Sequence, residues 1–303
     1  MTDVPQVTLP GRTVLLDGGM GRELRRRGVP IPDTIWSANG LIVAPEMVSE
    51  IHLDYITAGA DVIITNTYGV IRAALAEEGI EDRFAELNLM ACTLAQGARA
   101  AGGRSVLIAG SLPPLGGSYR PDRVGDFDHI EPLYREQAEI LMPHVDLFIC
   151  ETMSSAAEGL AAATAAATTG RPVWVSWSLH EDASGRLRSG ETITQAAQTL
   201  AHLPVSGYMV NCCMPESITA AMAELVALGK PAGGYANTFV PVPPDWMLDG
   251  DKDSDGLIPL RDDLGPEPYA RHVERWLDAG ARLIGGCCGT SPDHIAKLRE
   301  LIQ

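Results

Sequence analysis

At 303 residues, 46% hydrophobic and 20% charged, with no long low-complexity tract, the chain is long enough for one large core or two ordinary ones. Thirty-nine acidic residues against 23 basic ones leave a formal net charge of -16, which excludes the basic surface that nucleic-acid binding needs. No apolar run reaches the roughly 18 residues of a membrane span, and MTDVPQVTLPGRT lacks the basic and apolar regions of a secretory leader, so the expectation is a cytoplasmic protein without membrane or nucleic-acid partners and with no indicated oligomer.

Strand-length runs rich in Val and Ile begin with VLLDGG (14–19). A long loop to about 44 follows, then a segment over 45–58 whose Val48, Ile51, His52 and Tyr55 share one helical side. The remaining runs are DVIITNTY (61–68), SVLIAGSL (105–112), VDLFICET (145–152), PVWVSWSL (172–179), GYMVNCC (207–213), PAGGYANT (231–238) and ARLIGGCC (281–288). Helical spacing recurs between and after them, over 82–101, 131–142, 155–168, 193–201, 215–228, 268–279 and 292–301. Runs without polar alternation suit parallel strands buried on both faces. Eight alternations of strand and helix predict a (β/α)8 TIM barrel, with a doubly wound sheet as the alternative; no linker divides the chain, so a single domain over 1–303 is expected. Long loops after strands one, three and seven fall at the barrel face where active sites are built.

The polar residues gather at the same ends of the strands. Asp17 closes the first, Thr65-Asn66-Thr67 the second, Glu151-Thr152 the fourth, Asn211-Cys212-Cys213 the sixth, Asn237-Thr238 the seventh and Cys287-Cys288 the eighth. Adjacent residues on a strand point to opposite faces, so Cys287 and Cys288 serve one site only if the strand has ended, and Gly285, Gly286 and Gly289 give that freedom. Three thiolates around one centre suit zinc with an open fourth position. Spacing leaves open whether Cys212 or Cys213 takes part, while Cys92 and Cys150 read as ordinary buried thiols. The acidic run DKDSDGLIPLRD (251–262) opens like a calcium loop, but Pro259 stands at its ninth position and Asp262 at its twelfth, and it reads as a solvated loop.

The motifs LDGGMGREL, IWSAN, EIHLDYITAGADVIITNTY, AGSLPP, ETM, VNCC and GGCCGTSPDHI, in this order over nearly the whole chain, resemble the homocysteine S-methyltransferase family. The resemblance implies a zinc-dependent enzyme in which Cys212, Cys287 and Cys288 hold the metal and Cys213 is a bystander. It places Asp17 and Glu151 at the homocysteine ammonium, with Gly18, Gly19 and Ser111 as candidates for its carboxylate and Asn66 and Asn211 beside the site. The implied reaction moves a methyl group from a cationic small molecule (S-methylmethionine, S-adenosylmethionine or a betaine-like compound) to the thiol of homocysteine, giving methionine.

Aromatic faces hold such cations, and the loops offer Trp36, Tyr68, Tyr119 and Trp246. IWSAN is similar to the stand-alone S-methylmethionine-type enzymes, and the chain ends at Gln303 where the betaine-using branch continues; AGSLPPLGGSYRPD departs from the former pattern, so the donor stays open. Two other functions are compatible with these motifs: a homocysteine-activating module that receives methyl from a separate corrinoid protein, and a non-enzymatic zinc- or thiol-binding barrel.

Overall fold

All eight apolar runs form strands: β1 (Val14–Leu15), β2 (Val62–Ile64), β3 (Leu107–Leu112), β4 (Leu147–Met153), β5 (Val173–Trp177), β6 (Val205–Asn211), β7 (Ala232–Ala236) and β8 (Leu283–Gly286). The computed structural model describes residues 12–32, 34–243, 246 and 258–302. Every pairing is parallel, in the order β1-β8-β7-β6-β5-β4-β3-β2. Parallel neighbours require crossovers, which helices supply. The helices are α1 (Met20–Arg26), α2 (Asn39–Val43), α3 (Pro45–Ala58), α4 (Arg72–Glu77), α5 (Phe84–Ala101), α6 (Phe127–Leu141), α7 (Ala156–Ala167), α8 (Ile193–Thr199), α9 (Pro215–Ala227), α10 (Pro266–Asp278) and α11 (Pro292–Leu301).

The sheet closes between β1 and β2 as a (β/α)8 barrel, and the seam is narrow. Leu16 bridges Val62, the Asp17 amide donates to the Val62 carbonyl at 3.0 Å, and the Asp61 amide donates to the Leu15 carbonyl at 2.6 Å. Side chains complete the seam, because the Leu15 amide donates to Asp61 Oδ2 (3.1 Å) and the Ile64 amide to Asp17 Oδ2 (2.8 Å). Asp61 also receives Arg12, Arg104 and Arg299 at the opposite end of the barrel from the cysteines.

Two cores follow from strands buried on both faces. Val14, Leu16, Val62, Ile149, Trp174, Met209 and Leu283 fill the barrel interior. The outward-facing residues pack with the helices, and Cys92, Cys150 and Cys213 all lie in that outer core. His52 on α3 is fully buried with neither ring nitrogen hydrogen bonded. The first long loop differs from expectation in carrying α1 and α2, which at seven and five residues are too short for periodicity to reveal. Among the described residues no helix is long and apolar enough to cross a membrane. The acidic run 251–262 lies mostly outside the described residues.

Candidate active site

The strand β8 stops at Gly286, and the chain then turns: the Cys287 amide donates to the Ala236 carbonyl at 2.8 Å, and the Thr290 amide returns to the Cys287 carbonyl at 3.1 Å. Gly289 makes the turn possible with φ at +85°, where a side chain would also collide with Thr238. Both neighbouring thiols therefore reach one side. Across the mouth, Cys212 follows β6 with φ at +53°, which turns its thiol inward while Cys213 stays in the outer core. The sulfurs of Cys212, Cys287 and Cys288 lie within 4.8 Å of one another, and Cys212 and Cys288 are 4.0 Å apart. Three ligands of a tetrahedral zinc with bonds of about 2.3 Å stand about 3.8 Å apart, so the spacing fits this metal.

Among the three thiols, Cys288 is held well below the ordinary thiol range by hydrogen bonds from Cys212 and Cys287, and Arg22 lowers it further. Cys287 is pushed well up because its proton serves those bonds. The pocket over the sulfurs is also lined by Asp17, Glu151 and Asn66. Burial pushes the Asp17 carboxyl well above its usual range, and the charge of Glu151 adds to this. Burial likewise pushes Glu151 up to about 7, against the hydrogen bonds from Ser111 and Tyr235. Two acidic groups in a dry site, each favoured neutral until a cation arrives, make a receptor for positive charge.

The remaining expected residues divide by layer. Gly18, Gly19, Trp36, Tyr68 and Trp246 line the pocket. Gly19 must be glycine, since a Cβ there would stand 2.7 Å from the Cys287 carbonyl oxygen. Asn66 donates to the Ser37 carbonyl at 2.9 Å, and its own buried side-chain oxygen has no partner. Ser111 and Asn211 stand one layer behind the wall, each bonded to a residue that lines the pocket. Ser111 Oγ donates to Glu151 Oε1 at 2.5 Å. Asn211 accepts from the Thr152 amide (2.9 Å) and Ser176 (2.7 Å) and donates to Thr152 Oγ1 (2.9 Å) and to Cys287 Sγ (3.9 Å), which sets it against one of the three thiols.

Several wall residues were not among those expected. Tyr235 reaches Glu151 Oε2 at 3.3 Å, and the Arg22 guanidinium lies 4.8 Å from the centre of the Phe239 ring. Arg22 was legible as a charge immediately after the LDGGMG turn; Tyr235 was hidden in a strand whose alternation is uninformative. Trp36, Tyr119, Thr152 and Cys212 all line the pocket with positive φ, and among described non-glycine residues only the turn residue Ala183 shares this. Such backbone is costly and collects at functional sites.

The family profile described as Homocysteine S-methyltransferase matches residues 14–302. The chain belongs to the homocysteine S-methyltransferase family. Homocysteine S-methyltransferase from Escherichia coli (strain K12) is 32% identical, covering 94% of this chain and 94% of its own length. Homocysteine S-methyltransferase 4 of Zea mays is 30% identical, covering 97% and 90% respectively. The crystal structure of the homocysteine methyltransferase MmuM from Escherichia coli in its metallated form superposes with a TM-score of 0.80 at 31% identity, covering 96% of this chain and 97% of that one. Family membership thus extends over the whole barrel, including both cysteine-bearing turns.

Proposed function

We propose that this chain carries out the reaction of its family, methyl transfer to the thiol of homocysteine to give methionine, with zinc held by Cys212, Cys287 and Cys288 and a cationic small molecule as donor. The observation that carries this reading is that three converging thiols and two buried carboxylates line one pocket. Zinc bound there would convert the homocysteine thiol, whose solution pKa lies near the roughly 8.5 of cysteine, into a nucleophilic thiolate.

The protein's own groups orient the substrate. Asp17 and Glu151 take its ammonium, aided by the unpartnered oxygen of Asn66, and that charge returns both carboxyls to their ionised form. Gly18 and the backbone opening α1 offer the substrate carboxylate N–H groups without side-chain obstruction. Ser111 and Tyr235 hold Glu151 in place. On the donor side Trp36, Tyr68 and Trp246 present aromatic faces to a sulfonium or quaternary ammonium. Tyr68 is fixed by its 2.6 Å hydrogen bond with Ser118, and the apolar walls keep water from the methyl group in transit.

The test is to supply purified protein with zinc, homocysteine and, separately, S-methylmethionine, S-adenosylmethionine or betaine, with no corrinoid protein present. Methionine formation with one of the three is the expected result. Its formation only after a methylated corrinoid protein is added would overturn the donor assignment, and failure under both conditions would overturn the enzymatic one.

A further inference from the structure

Arg188 and Glu181 form an ion pair at 3.0 Å with side chains only 3% and 8% exposed. Removing two charges from water is expensive, and apolar replacements of such pairs are often as stable, so stability alone does not account for it. Its position does. The Arg188 amide bonds Ser178 after β5 (3.2 Å), and its guanidinium donates to the Val242 carbonyl after β7 (3.3 Å). Glu181 accepts from the Met214 amide after β6 at 2.8 Å. The same guanidinium carbon lies 4.8 Å from the centre of the Tyr119 ring, in the loop after β3. One buried pair therefore ties together four of the loops around the cysteines.

Tyr119 is where these ties converge on the reaction. Its hydroxyl stands 2.9 Å from Cys212 Sγ, and both residues of that contact have positive φ, +65° and +53°. A cation against one ring face, with Trp246 tilted against the ring at 5.5 Å, engages the surface through which Tyr119 would have received a cationic donor. We infer that the Arg188–Glu181 pair is a positioning device that seats Tyr119 so that its hydroxyl donates to the Cys212 sulfur, making Tyr119 a partner of the metal-binding thiolate and withdrawing it from donor recognition. A hydrogen bond to a thiolate draws charge from the sulfur and fixes its direction, the kind of support that outer partners give to metal ligands. The inference rests on the reading of Cys212 as a metal ligand.

The experiment compares the wild type with Tyr119→Phe, the charge-neutral double variant Arg188→Met/Glu181→Gln, and the triple variant combining them. Each is checked for folding by circular dichroism and loaded with cobalt(II), whose absorption by thiolate-to-metal charge transfer reports the sulfurs directly. Loss of the hydrogen bond raises the energy of the sulfur electrons, so Tyr119→Phe shifts that band to longer wavelength, and zinc affinity by chelator competition falls by about tenfold or more. The double variant reproduces both changes and the triple variant adds nothing further. A folded double variant with the wild-type band and affinity overturns the inference, as does a triple variant whose effects are the sum of its parts. A wild type that shows no thiolate-to-cobalt band removes the metal reading itself, and the inference with it.

Discussion

Replacing Glu151 by Gln keeps the shape of the side chain and an oxygen for Ser111, but removes the charge facing the pocket. Glu151 is 7% exposed, and burial pushes its carboxyl from 4.5 up to about 7. At 1.36 kcal/mol per pH unit, burial disfavours its ionised form by about 3 kcal/mol relative to a carboxyl in water, which is why the free site keeps its proton up to about pH 7. A charge-assisted contact of this kind is worth about 2 to 4 kcal/mol when lost, or a factor of about 30 to 1000 in affinity. Methionine is the ligand to measure because it carries the same ammonium without an ionisable thiol.

The sign follows from the raised pKa: the free site holds a proton below about pH 7 that binding must release, so affinity weakens as pH falls. From pH 8 to pH 6 the ionised fraction falls about tenfold, and wild-type affinity for methionine falls with it. Calorimetry in buffers of different ionisation enthalpy reads both the affinity and the proton released. Glu151→Gln binds weakly with a flattened pH dependence while retaining metal. Unchanged methionine affinity in the variant, or a pH-independent wild type, would refute the argument.

Cys212→Ser, Cys287→Ser and Cys288→Ser should each lower bound zinc and activity together, whereas Cys92→Ser and Cys213→Ser, in the outer core, should leave both nearly intact by metal analysis. Trp36→Ala should raise the donor's KM by about 3- to 30-fold, the loss of one desolvated cation–aromatic contact, with a smaller change for homocysteine in initial-rate kinetics. His52 is kept neutral by burial, its pKa lowered from 6.5 to about 4. The unfolded chain therefore binds the extra proton between those values, and stability is lost as pH falls through them, by about 3 kcal/mol at pH 4; urea titrations of His52→Leu should show that slope reduced. Asp61→Ala at the far end of the barrel should cost about 3 to 5 kcal/mol in the same assay with little change in KM, since it leaves Arg104 and Arg299 without their shared carboxylate.

The strands and the long crossover helices were legible because parallel barrel strands read as continuous apolar runs and the helices begin at prolines, as at Pro45, Pro215 and Pro292. The thiols of Cys287 and Cys288 were legible as a shared feature because glycines surround them. The choice between Cys212 and Cys213 was legible only through the family resemblance and not from spacing, since it depends on a single positive φ at a residue whose type does not advertise it. Ser111 and Asn211 illustrate a second limit. Position at a strand end places a residue near the mouth, but whether it meets the substrate or a neighbour's side chain is decided by contacts across strands. The Arg188–Glu181 pair was illegible for the same reason, because its partners come from loops distant in the chain.

The narrow seam between β1 and β2 makes Asp17 a latch as well as the binding group proposed above. One carboxylate oxygen accepts the Ile64 amide across the seam, so the carboxylate proposed to receive the ammonium also holds the first stave of the barrel to the second. Protonating that carboxyl weakens its acceptor, and a bound cation keeps it ionised. Substrate should therefore slow hydrogen exchange at the amides of Asp17 and Ile64 more than at β4 or β5, whose many ladder bonds need no such help. For anyone redesigning the pocket, this is the carboxylate to leave alone: Glu151 can be retuned for a different amine, whereas exchanging Asp17 alters specificity and the breathing of the barrel in the same stroke.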